Sequence, residues 1–189
     1  MMSWADPFFP DPSIPASVEK TMIDEIKSGF PSHYTMPMGD RKLREIIAQR
    51  IKKNYHLELD PSRNILITPG SDSGLLYAML PFLSEGDEVL IPDPSYPSNF
   101  LNAKLCGAKA VHVPLYPENG YQIDIQEFEK RVTKNTKMVV ITHPNNPTGT
   151  VFNKKSLTDL CDFIKKYDCR ISFFVHLRYS LLMKTYLYI

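Results

Sequence analysis

The chain has 189 residues, a formal net charge of +1, 43% hydrophobic residues and 23% charged residues. That is an ordinary soluble composition, long enough for one large core or two small ones, and a charge near neutral argues against nucleic acid or a membrane surface as partner. The opening MMSWADPFFPDPSIP has no basic stretch followed by an apolar one, no apolar run reaches membrane-spanning length, and Cys106, Cys161 and Cys169 lack metal-ligand spacing, which together predict reduced thiols and a cytoplasmic location.

The predicted elements follow in chain order. Prolines dominate Asp6 to Pro15, which reads as an extended arm. A helix follows Ser17, with Val18, Met22, Ile23 and Ile26 on one face, and Gly29 and Pro31 end it. A second helix starts near Asp40, where Leu43, Ile46, Ile47 and Ile51 recur at helical spacing. Strands are predicted at 64–69 (NILITP), 88–92 (EVLIP), 110–114 (AVHVP) and 137–142 (KMVVIT), with a further apolar run at 171–175. Helices are predicted at 74–83, 98–106, 124–132 and 153–167, the last with Asn153 as N-cap. Alternating strands and helices predict the α/β class: a mainly parallel sheet with helices on both faces.

Three strand ends open into unusual loops: TPGSDSG, PDPSYPS and THPNNPTG. In a parallel sheet the C-terminal strand ends lie side by side, and ligands bind at that edge. In GSDSG (Gly70–Gly74), small residues at a helix start leave backbone N–H groups open to an anion, with Ser71 and Ser73 as further donors. Taken alone, the motif is explained more simply by a plain N-cap from Ser71 or Asp72. Tyr96 is an aromatic held close to prolines and suited to stacking on a planar ring, or to packing on those prolines. The amides of Asn145 and Asn146 sit between Pro144 and Pro147 and suit a donor role toward a ring oxygen, or a simple turn. Phosphate, aromatic ring and ring oxygen together describe pyridoxal 5'-phosphate.

On these motifs the sequence resembles the class I/II aminotransferases of PLP-dependent fold type I. The matching stretches are HYTMPMGDRKLREIIA (33–48), ITPGSDSGLLYAMLPFLSEGDEVLIPDPSYP (67–97), GAKAVHVPL (107–115) and HPNNPTGTV (143–151). The likeness runs from about Trp4 to Asp168 and covers the N-terminal part and the first part of the large domain. It implies an arm and helix over 1–30, a partial PLP-binding large domain over 31–168, and no C-terminal small domain in this chain. It implies an enzyme that moves an amino group between an amino acid and a 2-oxo acid, working as a homodimer, with no nucleic acid and no membrane as partner. By resemblance, Ser71, Asp72 and Ser73 form the phosphate-binding turn, Tyr96 stacks on the cofactor ring, and Asn146 donates to the phenolic oxygen. Tyr34 matches a tyrosine that reaches the phosphate of the neighbouring subunit. Asn145 is assigned to the loop's own turn.

The pattern departs from the family after Asp168. The family needs a Schiff-base lysine and a carboxylate paired with the pyridine nitrogen. No acidic residue follows Asp168, and Lys184 in LLMKTYLYI has none of the context of a Schiff-base lysine. No catalytic residue is therefore assigned, and 169–189 reads as an aberrant or frameshifted tail of a truncated, inactive form. Ala5 stands where many family members carry glycine in a Gly-x-Pro segment facing substrate. A PLP-dependent carbon–sulfur lyase and a non-enzymatic remnant are the alternatives. The five histidines show no metal spacing, and no metal site is assigned.

Overall fold

The computed structural model describes residues 14–175. Ala5, most of the predicted Asp6–Pro15 arm, Lys184 and the tail beyond residue 175 lie outside the described residues.

Six helices and four strands are present among them. Helix α1 (Ala16–Ser28) begins after Pro15 and stops where Gly29 turns left-handed at φ 75°. Helix α2 (Arg41–Tyr55) is capped by Asp40, whose carboxylate accepts from Leu43 N at 2.9 Å. Helix α3 (Ser71–Met79) leads to strand β1 (Glu88–Asp93), and helix α4 (Pro97–Leu105) leads to strand β2 (Lys109–Pro114). Proline at the first position of α4 loses nothing, because that N–H has no intrahelical partner. Helix α5 (Ile125–Glu129), strand β3 (Thr136–His143), helix α6 (Lys154–Tyr167) and strand β4 (Arg170–Val175) complete the order. Asn153 caps α6 as its position predicts, accepting from Ser156 N at 2.9 Å.

The strands form one parallel sheet in the order β2-β1-β3-β4. Residues 88–93 of β1 pair in register with 109–114 of β2, and 138–143 of β3 with 170–175 of β4. A register shift separates Glu88 and Val89 where β1 meets β3. The chain adds β2 on one side of β1 and then returns to place β3 on the other. This reversal opens a crevice at the C-terminal ends of β1 and β3, the geometry in which open parallel sheets bind ligands.

Strand alternation divides the core between the two faces. Val89, Ile91, Met138 and Val140 pack with Leu75 and Met79 of α3 and Ala103 of α4. Leu90, Val113, Val139 and Ile141 pack on the opposite face with Phe128 of α5 and with Leu160 and Phe163 of α6. Burying each such large side chain contributes about 1.5–3 kcal/mol, so the sheet is fixed from both sides.

The structure corrects the predicted elements in three places. Residues 64–69 form no strand: their segment makes one bond of a ladder kind, Ile67 N to Met38 O at 3.1 Å, and a strand needs a row of them. The close approach is possible because residue 39 is glycine at φ 94°, where a Cβ would stand 2.5 Å from the Ile67 side chain. Helix α3 begins at Ser71, three residues earlier than predicted, and ends ahead of Pro81, whose ring blocks continuation. Helix α5 is five residues long rather than nine, and Arg131 N and Val132 N both turn back to Phe128 O. The apolar stripe of α1 is exposed: none of its residues is buried, and Ile26 is 67% accessible.

Candidate active site

The site is assembled from three loops at one sheet edge. Gly70 precedes α3 at φ 90°, ψ 163°, a conformation reserved for glycine, and no side chain caps the helix. The first-turn N–H groups of α3 therefore stay open to an anion, and the partial positive charge of the helix terminus adds to them. Ser73 Oγ donates to Pro69 O at 3.2 Å, and Thr68 Oγ1 to Gly70 O at 2.9 Å, fixing the approach to the helix. Asp72 does not cap α3. Its Oδ2 accepts from Ser98 Oγ at 2.9 Å, so the carboxylate is engaged at the first turn of α4.

The second loop follows β1. Tyr96 is the N-cap residue of α4 and is 37% exposed. Behind it, Asn99 is fully buried and donates through Nδ2 to Ser95 Oγ at 2.7 Å and to Thr142 Oγ1 at 3.0 Å. Asn102, one helical turn on, donates to Asp72 O at 3.4 Å. Helix α4 thus holds the α3 terminus with one end and the last residues of β3 with a buried amide. On the outer side, His112 Nδ1 lies 2.9 Å from Asp93 Oδ2, and its ring stacks on Phe100 at 4.4 Å between centroids.

The third loop follows β3. Asn145 N donates to Thr150 O and Gly149 N to Asn145 O, both at 2.8 Å, closing a tight turn over 145–150. The Asn145 amide is 3% exposed and donates to Thr148 Oγ1 at 2.9 Å and to Pro94 O at 3.1 Å. Asn146 directly follows Asn145 and is exposed. His143 stacks on Phe152 at 5.7 Å, and burial pushes its imidazole below the ordinary histidine value. Asn99 Oδ1, Asn145 Oδ1 and His143 Nδ1 are buried polar atoms with no hydrogen-bond partner. Such atoms are few in folded proteins, and all three lie at the ends of β1 and β3 or in the helix starting there.

Of the residues singled out from sequence, Ser71, Asp72, Ser73, Tyr96 and Asn146 belong to these three linked loops. Tyr34 is fully exposed, at 106% of its reference area. Sequence reasoning missed the linking residues Ser98, Asn99, Asn102 and Thr142. The signal was present in α4, where Asn99 and Asn102 stand three apart on a face otherwise apolar.

The family model for class I and II aminotransferases matches residues 8–174. The chain belongs to that family. Among curated proteins, this family member is similar to aromatic-amino-acid aminotransferase 2 of Thermococcus litoralis, 36% identical over 162 residues, which are 86% of this chain and 41% of the relative. It is likewise 36% identical to an aspartate aminotransferase of Pyrococcus abyssi, over 84% of this chain and 41% of that protein. Among solved structures, the aromatic aminotransferase of Pyrococcus horikoshii OT3 superposes with a TM-score of 0.83 at 34% identity, over 88% of this chain and 44% of that one. A Thermus thermophilus aspartate aminotransferase mutant superposes at 0.81 with 28% identity, over 88% and 43%. The chain spans about two-fifths of the length of the curated relatives it matches. The fold predicted from the motifs, part of a PLP fold type I large domain, is the fold these aminotransferases share.

Proposed function

We propose that this chain is the cofactor-holding part of a pyridoxal-phosphate-dependent aminotransferase that moves an amino group between an amino acid and a 2-oxo acid. The observation that carries the reading is the linkage of the three loops. Ser98 and Asn102 tie α4 to Asp72, Asn99 ties α4 to Thr142, and Asn145 ties the β3 loop to Pro94. An anion site, an aromatic and an amide donor thereby belong to one crevice.

The residues present fit the cofactor. The uncapped α3 terminus at Ser71, Asp72 and Ser73 suits a phosphate, and engagement of the Asp72 carboxylate by Ser98 removes the objection of a negative charge facing an anion. Tyr96 offers a ring face for stacking. Asn146 offers an amide donor to the phenolic oxygen, and a donor there favours the anionic form of that oxygen. Bound pyridoxal phosphate supplies a conjugated ring that accepts electron density from the substrate's α-carbon. Tyr34, fully exposed, supports a role toward a second subunit and with it a homodimeric enzyme.

The chain taken alone is proposed to hold the cofactor without turnover, because the sequence after Asp168 contains no carboxylate to pair with the pyridine nitrogen and Lys184 lacks a suitable context. Incubation with amino acids and 2-oxoglutarate should give no more amino transfer than pyridoxal phosphate without protein, and measured turnover would overturn this part. The cofactor site itself is tested by equilibrium dialysis of pyridoxal phosphate against the chain. Asn146→Ala should weaken binding roughly tenfold to hundredfold, the worth of a hydrogen bond to a charged oxygen. Unchanged binding in that variant would reduce the loop to a turn.

A further inference from the structure

We infer that Asn145 is a positioning residue that locks Tyr96 and Asn146 into one frame, acting through the carbonyl of Pro94. The role rests on the cofactor reading above for its purpose, and on geometry for its existence.

The sequence assigns Asn145 to its own turn, and the turn is there: Gly149 N and Thr148 Oγ1 both bond to Asn145. The same amide also reaches a carbonyl 51 residues away, at Pro94. That carbonyl can only accept, so Nδ2 faces it and the amide's orientation follows without ambiguity. Oδ1 is left buried and unpartnered. The side chain is thus held through its donors.

Pro94 lies two residues before Tyr96, and Asn146 directly follows Asn145. The buried Asn145 amide therefore joins the two loops beside their ligand-facing residues, in front of the Asn99–Thr142 bond that ties α4 to β3. Both short connections carry little slack. Pro94 and Pro97 bracket Tyr96, Pro144 and Pro147 bracket the two asparagines, and each proline fixes its own φ. A shift at the Asn145–Pro94 bond is passed to both ligand-facing residues. The phosphate turn is held by different bonds, from Ser98 and Asn102 of α4 to Asp72.

This difference makes the role testable on the full chain. Asn145→Leu keeps the buried volume and removes both donated bonds. Thr148→Val removes the bond within the turn and leaves the one to Pro94. Binding of pyridoxal phosphate and of inorganic phosphate is measured by equilibrium dialysis, and amide hydrogen exchange is read over 93–99 and 143–150. The expected result for Asn145→Leu is a loss of about tenfold or more in pyridoxal phosphate affinity, unchanged inorganic phosphate affinity, and faster exchange in both loops. Thr148→Val should leave exchange over 93–99 and pyridoxal phosphate affinity at wild-type levels. Equal loss of both ligands in Asn145→Leu would show general disruption and overturn the proposal. So would unchanged exchange over 93–99, or a Thr148→Val variant that matches Asn145→Leu. If the wild-type chain binds no pyridoxal phosphate, the cofactor reading fails, and the exchange over 93–99 alone decides the clamp.

Discussion

The strands β1 and β3 and the inward faces of the helices packed on them bury their apolar residues, whereas α1 leaves its apolar stripe in water and α2 leaves Leu43 and Ile46 exposed with Ile47 and Ile51 half-buried. Leu90, Val139 and Phe128 are inaccessible, while Val18, Met22, Ile23 and Ile26 of α1 are all exposed, and α2 buries only Arg44. Arg44 itself is satisfied by backbone carbonyls, at Gly39 and Pro61, rather than by a carboxylate. Helical periodicity thus records that a face seeks a partner surface; it does not say which surface, or whether the described residues contain it. Between the two regions lies the 64–69 segment, with Ile65 buried and Leu66 exposed, strand-like in sequence and without a strand beside it.

The comparison is broken most directly by truncating a core residue. Phe128 lies at the centre of the α5/α6 face, edge-on to Phe163 at 5.7 Å. Phe128→Ala should cost about 3–5 kcal/mol, the transfer loss plus a cavity, read from urea unfolding followed by circular dichroism. A cost below about 1 kcal/mol, the level of an average substitution, would mean that the sheet region is as loosely packed as the N-terminal one.

Helix caps sharpen it further, because the same chemistry occurs in both regions. Asp40 caps α2 and Asn153 caps α6, each with one 2.9 Å bond to a backbone N–H. Either change to alanine should cost its helix about 1 kcal/mol. Asn153→Ala should lower the midpoint of global unfolding, since α6 lies on the core. Asp40→Ala should speed amide exchange within α2 and leave that midpoint where it was. Equal shifts in the global midpoint would show that the two regions unfold as one unit.

The sequence made the sheet legible because β1, β2 and β3 are short apolar runs bounded by turn residues, and each boundary fell within a residue or two of its place. It made the loops after β1 and β3 legible because proline, glycine and asparagine favour turns, whereas the loop before α3 follows no strand. The 64–69 strand was misread because pairing is a property of two segments and a propensity belongs to one. The start of α3 was misread because Ser-Asp-Ser is as good a cap as a first turn, and only Ser98, 26 residues away, draws the Asp72 carboxylate off. Asn145 was read as local for the same reason: its partner at Pro94 is invisible to any window around residue 145.

Lowering the pH gives a smaller handle on the sheet region alone. Burial holds the His143 imidazole below the ordinary histidine pKa. Above the unfolded value of about 6.5 both states are neutral and the group has no effect. As the pH falls below that value, the unfolded chain takes up a proton that the folded chain refuses, so stability drops until the lowered folded value is passed. The carboxylates Glu88 and Glu127 have lowered values, through the Thr133 hydroxyl and Lys130 respectively, and lose their contribution only in a more acidic window. Melting midpoints should therefore fall between about pH 7.5 and about pH 5.5, and His143→Gln should flatten that slope. An identical slope in the variant would assign the effect elsewhere.

The smallest effect is expected where the sequence pattern looks strongest. Ile26 sits in the apolar stripe of α1, and by periodicity alone Ile26→Ala should resemble a core truncation. In the structure its side chain is 67% exposed and no residue of α1 is buried. Little area leaves water on folding, no cavity is made, and alanine is the better helix former. The expected change in global stability is within about 0.5 kcal/mol in either direction. The same substitution should lower binding of a hydrophobic dye such as ANS, because it removes apolar surface that the folded chain presents to solvent. A loss as large as that of Phe128→Ala would mean that in solution the α1 stripe is covered, and the contrast between the two regions would then belong to the isolated chain only.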